Sequence, residues 1–209
     1  MSIATARSGF VGLILVGLAA CASSPPPQYY TLATVGGAAA SGPPSVAAIE
    51  FLPVTVPQQV DQPNVMIRTA PQELTPDYNA RWAASLGEEV KSGLATTLQQ
   101  VGGITDVTGL GSTGIQPLWR MQVQIRRFDL PRQGPVGLEA VWRARRIAPA
   151  GTEAWLCRSE VTQVTSGATV PDLVAAQRQA VAQVGRRMAA LIRGEAVPTD
   201  CQAERAAAA

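Results

Sequence analysis

The sequence predicts an α/β fold: a single-domain sandwich of a mixed β-sheet with two main amphipathic helices. The length of 209 residues fits one domain and is enough to bury a core. Two long segments carry apolar residues at helical spacing, whereas three consecutive segments alternate apolar and polar residues, as half-buried strands do. Because these three segments follow one another along the chain, they predict an antiparallel meander of strands.

Residues 1–20 have the pattern of a lipoprotein signal peptide. Arg7 precedes an apolar run over residues 10–18, which is too short to span a bilayer because a spanning helix needs about 20 residues. Residues 18–21 read Leu-Ala-Ala-Cys, a lipobox in which Cys21 becomes the acylated N-terminus after cleavage. An ordinary secretory signal with an incidental cysteine is the alternative, but the Ser- and Pro-rich stretch that follows favours a lipidated tether at residues 21–28.

The residue after the lipobox cysteine indicates which membrane holds the protein. Residue 22 is Ala rather than the Asp that usually retains lipoproteins at the inner membrane, which predicts a lipid anchor on the periplasmic face of the outer membrane. Diacylglycerol and a further acyl chain such as palmitate on Cys21 would hold the protein far more firmly than one chain. Apart from this covalent lipid, no cofactor is predicted.

The folded domain is placed at residues 29–201, and its first half contains short strands and one helix. A short strand is predicted at residues 29–34, a core strand with a Pro-bent exit at 46–56, and another extended piece at 64–69. An amphipathic helix is predicted over residues 83–101, with Glu88, Glu89 and Lys91 on faces other than the apolar one. Its apolar stripe comprises Leu86, Val90, Leu94, Leu98 and Val101.

The second half contains the meander and a second helix. The strands of this half are predicted at residues 104–108, 118–128, 138–147 and 154–165. The helix begins near Pro171, with Thr169 as its N-cap, and ends near Gly194, before a flexible tail at residues 202–209. Its apolar stripe comprises Leu173, Ala180, Val181, Val184, Met188, Leu191 and Ile192.

Two cysteines remain once Cys21 carries lipid. Disulfides persist in the periplasm, so Cys157 and Cys201 are predicted to form a bridge that clamps the tail to the sheet. Two free thiols, or a metal site, are the alternatives. A zinc site is disfavoured because two cysteines without histidine cannot fill a tetrahedral shell, and no metal is predicted.

The composition argues against an enzyme. The chain has no histidine, which excludes a Ser-His-Asp triad, a Cys-His pair and a histidine base, although carboxylates in a facing pair would reopen the question. Residues 109–114 match the dinucleotide fingerprint in letters, but a strand pattern follows them where that fingerprint needs a helix, so they are interpreted as a loop. The net charge of +2, without a long basic run, does not indicate nucleic-acid binding.

Arginines and tryptophans on the predicted strands have alternative roles. The arginines either lie on a solvated sheet face, which the alternation favours, or contact acidic lipid headgroups or a partner. They are Arg126, Arg127, Arg143, Arg145, Arg146 and Arg158. Trp119, Trp142 and Trp155 fall on apolar strand faces and are predicted to be core residues. The patterning does not explain Arg81 and Trp82, which we treat as candidate partner contacts.

The order of several individually weak features resembles the PqiC/YmbA lipoproteins, the auxiliary lipoprotein components of ABC-type transport systems. After the lipobox come Tyr-Tyr-Thr-Leu at residues 29–32, Asp-Gln-Pro at 61–63, and Arg-Trp-Ala at 81–83, which opens a helix. Arg-Phe-Asp at 127–129 and Glu-Ala-Val-Trp at 139–142 precede the closing amphipathic helix. The resemblance covers nearly all of the mature chain and has no catalytic motif to carry over.

The resemblance implies a single α/β domain with a mixed sheet, tethered to the outer membrane. It also implies association with an MCE-domain protein that spans the periplasm, and with an inner-membrane permease and ATPase that move phospholipids or other hydrophobic molecules between membranes. A ring-like homo-oligomer is compatible with this arrangement. We therefore expect a non-enzymatic accessory that docks the MCE subunit; the alternative is a stand-alone envelope lipoprotein that binds lipid or maintains envelope integrity without an ABC partner.

Overall fold

The computed structural model describes residues 26–34, 47–111, 114–148 and 151–204, with only the backbone of residues 151 and 152. The predicted signal peptide, Cys21 and most of the tether lie outside the described residues, as do residues 205–209. The strands are β1 (Gln28–Tyr30), β2 (Ala48–Phe51), β3 (Asn64–Ala70), β4 (Glu73–Trp82), β5 (Thr105–Asp106), β6 (Leu118–Asp129), β7 (Val136–Ala148), β8 (Gly151–Gln163) and β9 (Cys201–Glu204). The helices are α1 (Leu86–Gly102) and α2 (Val170–Ile192).

The strands form two sheets. The large sheet has the order β5-β2-β6-β7-β8-β9, in which β6 to β9 are antiparallel neighbours and β2 runs parallel to both β5 and β6. The small sheet has the order β1-β4-β3, with β1 parallel and β3 antiparallel to β4. The α/β class, the mixed sheet, the two helices and the meander are therefore confirmed, whereas the separate small sheet was not predicted.

The core lies between the large sheet and the two helices. Alternate residues of β6 and β7, such as Met121, Val123 and Trp142, are buried because that face of the sheet packs against the apolar stripes of the helices. The stripe of α2 is buried as predicted, and so is that of α1 up to Leu98; Val101, however, is 37% exposed at the helix end.

Small residues allow the two helices to approach closely. A Cβ atom on Gly185 of α2 would lie 2.8 Å from Cβ of Thr97 in α1, and one on Gly93 would lie 3.1 Å from the side chain of Val181. The hydroxyl of Thr97 donates to the carbonyl of Gly93 at 2.8 Å, so this buried polar group is satisfied within α1. The close contact fixes the helix pair over the sheet.

The start of α2 confirms the predicted N-cap. Thr169 and Asp172 form a capping box: the threonine hydroxyl accepts from the Asp172 N–H, and the carboxylate accepts from the Thr169 N–H at 3.2 Å. Ser166 also donates to this carboxylate, at 2.9 Å. Hydrogen bonds from the side chains of Thr169 and Ser166 lower the pKa of Asp172 below its usual value, because they favour the charged form.

Several predicted boundaries differ from the structure. The predicted core strand at residues 46–56 is limited to β2, although Thr55 still forms an isolated bridge with Gln124. Strand β4 was not predicted, because Pro76 and a three-residue irregularity opposite the start of β3 remove the alternation that identifies a strand. At the other end of the domain, residues 202–204, assigned to the tail by the sequence, extend the large sheet as part of β9.

Candidate functional site

The candidate site is the end of the domain at which the predicted tether joins the fold. Strand β1 begins seven residues after Cys21 and lies at the edge of the small sheet, with Tyr29 opposite Arg81 of β4. The Ala83 N–H donates to the Tyr30 carbonyl at 2.9 Å, which continues the pairing past the end of β1. The chain that leads to the predicted lipid therefore enters the fold along β4.

A buried carboxylate attaches this strand to α1. One oxygen of Glu89 accepts from the Thr31 hydroxyl at 2.7 Å and from the Leu32 N–H at 2.9 Å. The other oxygen accepts from the Ala84 N–H at 3.0 Å. Three donors thus satisfy a side chain that is only 4% exposed, as a buried charge requires. The sequence assigned Glu89 to an outward face of α1, and this was wrong.

The position of Glu89 in the helix explains the error. Glu89 lies next to Val90 of the apolar stripe and in the first turn of α1, where a carboxylate also benefits from the helix dipole. The backbone of residues 31 and 32 crosses this turn and provides donors for the carboxylate, and the Leu32 side chain next to them is buried. A contact with a segment 57 residues away leaves no signal in the local pattern.

The tyrosine that ends β1 is tied to the same edge. The Tyr30 hydroxyl donates to the side-chain carbonyl of Gln28 at 2.7 Å. Partial burial, together with the negative charge of Asp77, raises the pKa of Tyr30. Asp77 itself accepts from the Asn79 N–H at 2.9 Å, which turns the β4 backbone at the irregularity.

The two candidate partner contacts, Arg81 and Trp82, lie in different environments. Arg81 is exposed and makes no side-chain hydrogen bond or ion pair with any residue that the structure describes. Trp82 is 4% exposed, and its ring meets that of Phe128 edge to face with centroids 5.9 Å apart. Trp82 therefore belongs to the core, where it joins the small sheet to β6, and only Arg81 offers a surface contact.

A charged pair reinforces the join between the two sheets. Arg68 of β3 donates from Nε and Nη2 to one oxygen of Asp129, at 2.8 and 2.6 Å. Next to this pair, the Arg132 N–H donates to the Arg68 carbonyl at 3.0 Å. The small sheet is thus fixed against the end of β6 rather than suspended from the body by loops.

The β8–β9 edge of the large sheet contains the two cysteines other than Cys21. Cys157 of β8 and Cys201 of β9 are neighbours in register and are joined by a disulfide. Beside it, the indole N–H of Trp142 donates to the Ser159 hydroxyl at 3.1 Å, which in turn donates to Asp200 at 3.3 Å. The tail is therefore held to the sheet by a covalent bond and a hydrogen-bonded chain.

The arginines on the helix-free face of the large sheet are mostly paired with carboxylates. The ion pairs on this face are Arg120–Glu50, Arg127–Glu160, Arg143–Glu204 and Arg158–Glu139, with N···O distances between 2.6 and 3.0 Å. Arg126 is exposed, and Arg145 has no ion-pair partner among the described residues. Trp119 and Trp142 are buried as predicted, whereas Trp155 is only partly buried. The face is a solvated surface of cross-strand ion pairs, in line with the favoured interpretation.

Two hollows on the surface of the described residues are open and lined partly by charged side chains. A shallow hollow of about 640 Å³ lies where β8, α2 and residues 198–200 meet, and it contains Glu160 and Asp200. Each of these carboxylates is already ion-paired, Glu160 with Arg127 and Asp200 with Arg187. A smaller hollow of about 240 Å³ beside Glu50 is lined in part by the loop before β6.

Residues 26–34, 47–111, 114–148 and 151–204 contain no group of three or more His, Cys, Asp or Glu side chains that could hold a metal ion. Within the same ranges, neither helix is long and apolar enough to cross a membrane.

The fold is similar to that of solved proteins. A crystal structure of an uncharacterized protein superposes with a TM-score of 0.60 at 18% identity, covering 80% of this chain and 99% of that one. Protein XCC0632 from Xanthomonas campestris, described as a member of the DUF330 family, gives a TM-score of 0.54 at 17% identity and covers 80% of this chain and 97% of its own. These likenesses define the fold class.

The family follows from the sequence itself. Residues 30–189, more than half of the chain, match the model of the family described as "ABC-type transport auxiliary lipoprotein component". The chain therefore belongs to this family of lipoproteins, which confirms the resemblance read from its motifs. No curated protein matches the sequence.

Proposed function

We propose that this chain is an outer-membrane-anchored periplasmic lipoprotein that serves an MCE/ABC-type intermembrane lipid transport system. Its role is not catalytic: it docks the periplasm-spanning MCE subunit, which connects to a permease and an ATPase in the inner membrane. The family match over residues 30–189 is the observation that carries this proposal. The lipobox at residues 18–21 and the Ala at position 22 support the anchor and its location.

The way in which the chain enters the fold suits a docking role. Six residues separate Cys21 from Gln28, so a fully extended tether holds the domain within about 25 Å of the lipid. The hydrogen bonds of Glu89 then connect the first strand to α1 and thus to the core. A short tether attached to a rigid domain raises the local concentration of a partner site without requiring a tight pairwise contact.

The anchor is tested by mass spectrometry and fractionation. The processed wild-type protein is expected to carry diacylglycerol and an acyl chain on Cys21 and to fractionate with the outer membrane. Cys21→Ser should abolish lipidation and release the chain from that membrane. Ala22→Asp is the matched control: it keeps the lipid but should retain the protein at the inner membrane, because residue 22 governs sorting.

Copurification tests the partner. From detergent extracts, the wild-type chain should recover an MCE-domain protein together with its permease and ATPase. Ala22→Asp should weaken that recovery even though the protein is lipidated. A wild-type protein with an unmodified Cys21 thiol would contradict the anchor, and a lipidated protein that recovers no transporter component would contradict the docking role.

A further inference from the structure

Two exposed tyrosines and an exposed arginine lie on β1 and β4, at the end of the small sheet where the tether enters. Tyr29 of β1 is 63% exposed, and Tyr78 of β4 is 75% exposed. Arg81, also exposed, lies opposite Tyr29 in register and three residues after Tyr78. We call Tyr29, Tyr78 and Arg81 the tyrosine–arginine patch.

The polar groups of these side chains have no partner in the part of the chain that the structure describes. Neither tyrosine hydroxyl nor the Arg81 guanidinium makes a hydrogen bond with the residues that the structure describes. By contrast, the neighbouring Tyr30 hydroxyl is bonded to Gln28, and four arginines on the large sheet are paired with glutamates. The patch is therefore free to bind something outside the domain.

The chemistry of the patch matches a layer of phospholipid headgroups. Tyrosine has an apolar ring and a polar hydroxyl, and for this reason it is enriched at membrane–water interfaces. A guanidinium group makes charge-assisted hydrogen bonds to phosphate oxygens. The carboxylate nearest in the sequence, Asp77, has other partners: it accepts from the Asn79 N–H, and its charge raises the pKa of Tyr30.

The path of the chain identifies the occupant. Tyr29 lies eight residues after Cys21, so even a fully extended tether keeps it within about 29 Å of the anchored lipid. The tether ends at Gln28, which is opposite Ala80 of β4. Tyr78 lies two residues before Ala80. The patch thus lies on the strands where the tether enters the fold.

We propose that the tyrosine–arginine patch binds the phospholipid headgroup layer and forms a second, noncovalent membrane contact that orients the domain on the bilayer. This inference rests on the proposed lipid anchor at Cys21. The covalent lipid limits how far the domain moves, whereas the patch determines which end of the domain meets the membrane.

The test uses the full lipidated protein in vesicles of phosphatidylethanolamine and phosphatidylglycerol. A reporter cysteine replaces Asn79, which is exposed and adjacent to the patch but not part of it, and is labelled with an environment-sensitive fluorophore. The control reporter replaces Leu110, which is 70% exposed in the loop near the other end of β6. Quenching by acrylamide, a neutral solute in the water phase, measures how far each position is shielded by lipid.

We expect the quenching constant at position 79 to be at least about twofold lower than at position 110, because interfacial residues are shielded from the water phase. The triple variant Tyr29→Ser, Tyr78→Ser, Arg81→Gln should remove this difference while the protein still floats with the vesicles. Equal quenching at both positions in floating wild-type protein would overturn the orientation but leave the anchor intact.

Two other outcomes would also count against the patch. Shielding that disappears at a lower protein-to-lipid ratio would show contact between copies of the chain rather than contact with lipid. Protein that does not float, and carries no lipid on Cys21, would overturn both the anchor and the patch. Because vesicles contain no transporter subunits, shielding in this assay does not arise from a protein partner.

Discussion

Different interactions stabilise the large sheet with its helices and the small sheet at the tether end. The large sheet and its helices bury a continuous apolar core, with residues such as Met121, Ala144 and Met188 fully inaccessible. The small sheet shares this core through residues such as Val65, Ile67 and Trp82, but β1 has only three residues and its continuation is attached through the carboxylate of Glu89. The body, meaning the large sheet and its helices, is therefore stabilised by many small contributions. The anchor end, meaning β1 and residues 31–32 beside the predicted tether, depends on a few specific contacts.

Removing the disulfide should have the largest effect, and it should act on the body. The bridge closes a loop of 44 residues. Replacing both Cys157 and Cys201 by Ala is expected to lower the free energy of unfolding by about 4 kcal/mol, since the unfolded chain regains the entropy of that loop. Urea denaturation measures the change. A loss below about 1 kcal/mol would show that the bridge contributes little beyond the pairing of β8 with β9.

Substituting Glu89 tests the anchor end. Glu89→Ala leaves the buried Leu32 N–H without an acceptor, so we expect a loss of about 2 kcal/mol. Hydrogen exchange should show the largest loss of amide protection at residues 31–32 and 84. Protection in β6 and β7 should fall only by the amount that the lower global stability causes. Glu88→Ala is the matched control, because Glu88 is half-exposed and forms a partly exposed ion pair with Lys91. Equal losses in the two variants would contradict the role of Glu89.

The N-cap of α2 provides a smaller perturbation in the body. Thr169→Ala should cost about 1 kcal/mol at neutral pH, because the first turn of the helix loses its cap. Chemical denaturation measures this cost. The loss of amide protection at Leu32 should correspond to the loss of global stability and no more. A selective loss of protection at Leu32 would contradict the independence of the two ends.

The same cap gives a pH dependence of known sign. The pKa of Asp172 is lowered in the folded protein, so its carboxylate stabilises the fold above the unfolded pKa of about 3.8, and this contribution disappears as the pH falls through the folded value. The difference in stability between wild type and Asp172→Asn should therefore be constant at neutral pH and shrink below about pH 4. A difference that grows on acidification would contradict the assignment.

The ion pairs on the helix-free face should have the smallest effect. Arg120→Gln removes the pair with Glu50, whose members are both more than one-third exposed. We expect a change within about 0.5 kcal/mol, because solvent screens exposed pairs. Denaturation with and without added salt provides the check, since salt should reduce even this small difference. A large, salt-independent loss would indicate that this face is covered in the native protein.

The sequence predicted the body better than the anchor end, for a physical reason. Strands β6 and β7 each bury one face along most of their length, which forces the alternation from which they were predicted. Helix α2 likewise has a continuous apolar stripe and a local capping box. These elements carry their structural information in consecutive residues, so they can be recognised without knowledge of their neighbours.

The small sheet carries little local information. In β4, Pro76 and the turn at Asp77 interrupt the pattern, so the sequence does not identify Trp82 as a core residue and leaves it a candidate partner contact. Glu89 was misplaced because two of its three partners, Thr31 and Leu32, lie 58 and 57 residues earlier in the chain. The exposure of Tyr29 and Tyr78 likewise follows from how β1 and β4 are placed, which the sequence pattern did not reveal.

The parallel alignment of β1 and β4 has a mechanical consequence for an anchored protein. A pull on the lipid is transmitted through the tether along the axis of β1, so it loads the hydrogen bonds between these strands in shear, all at once, rather than opening them one after another. Beyond β1 the tension reaches Glu89 and is passed to a helix embedded in the core. In the proposed lipid-anchored protein, such tension would act on the whole domain and would not peel away its first strand.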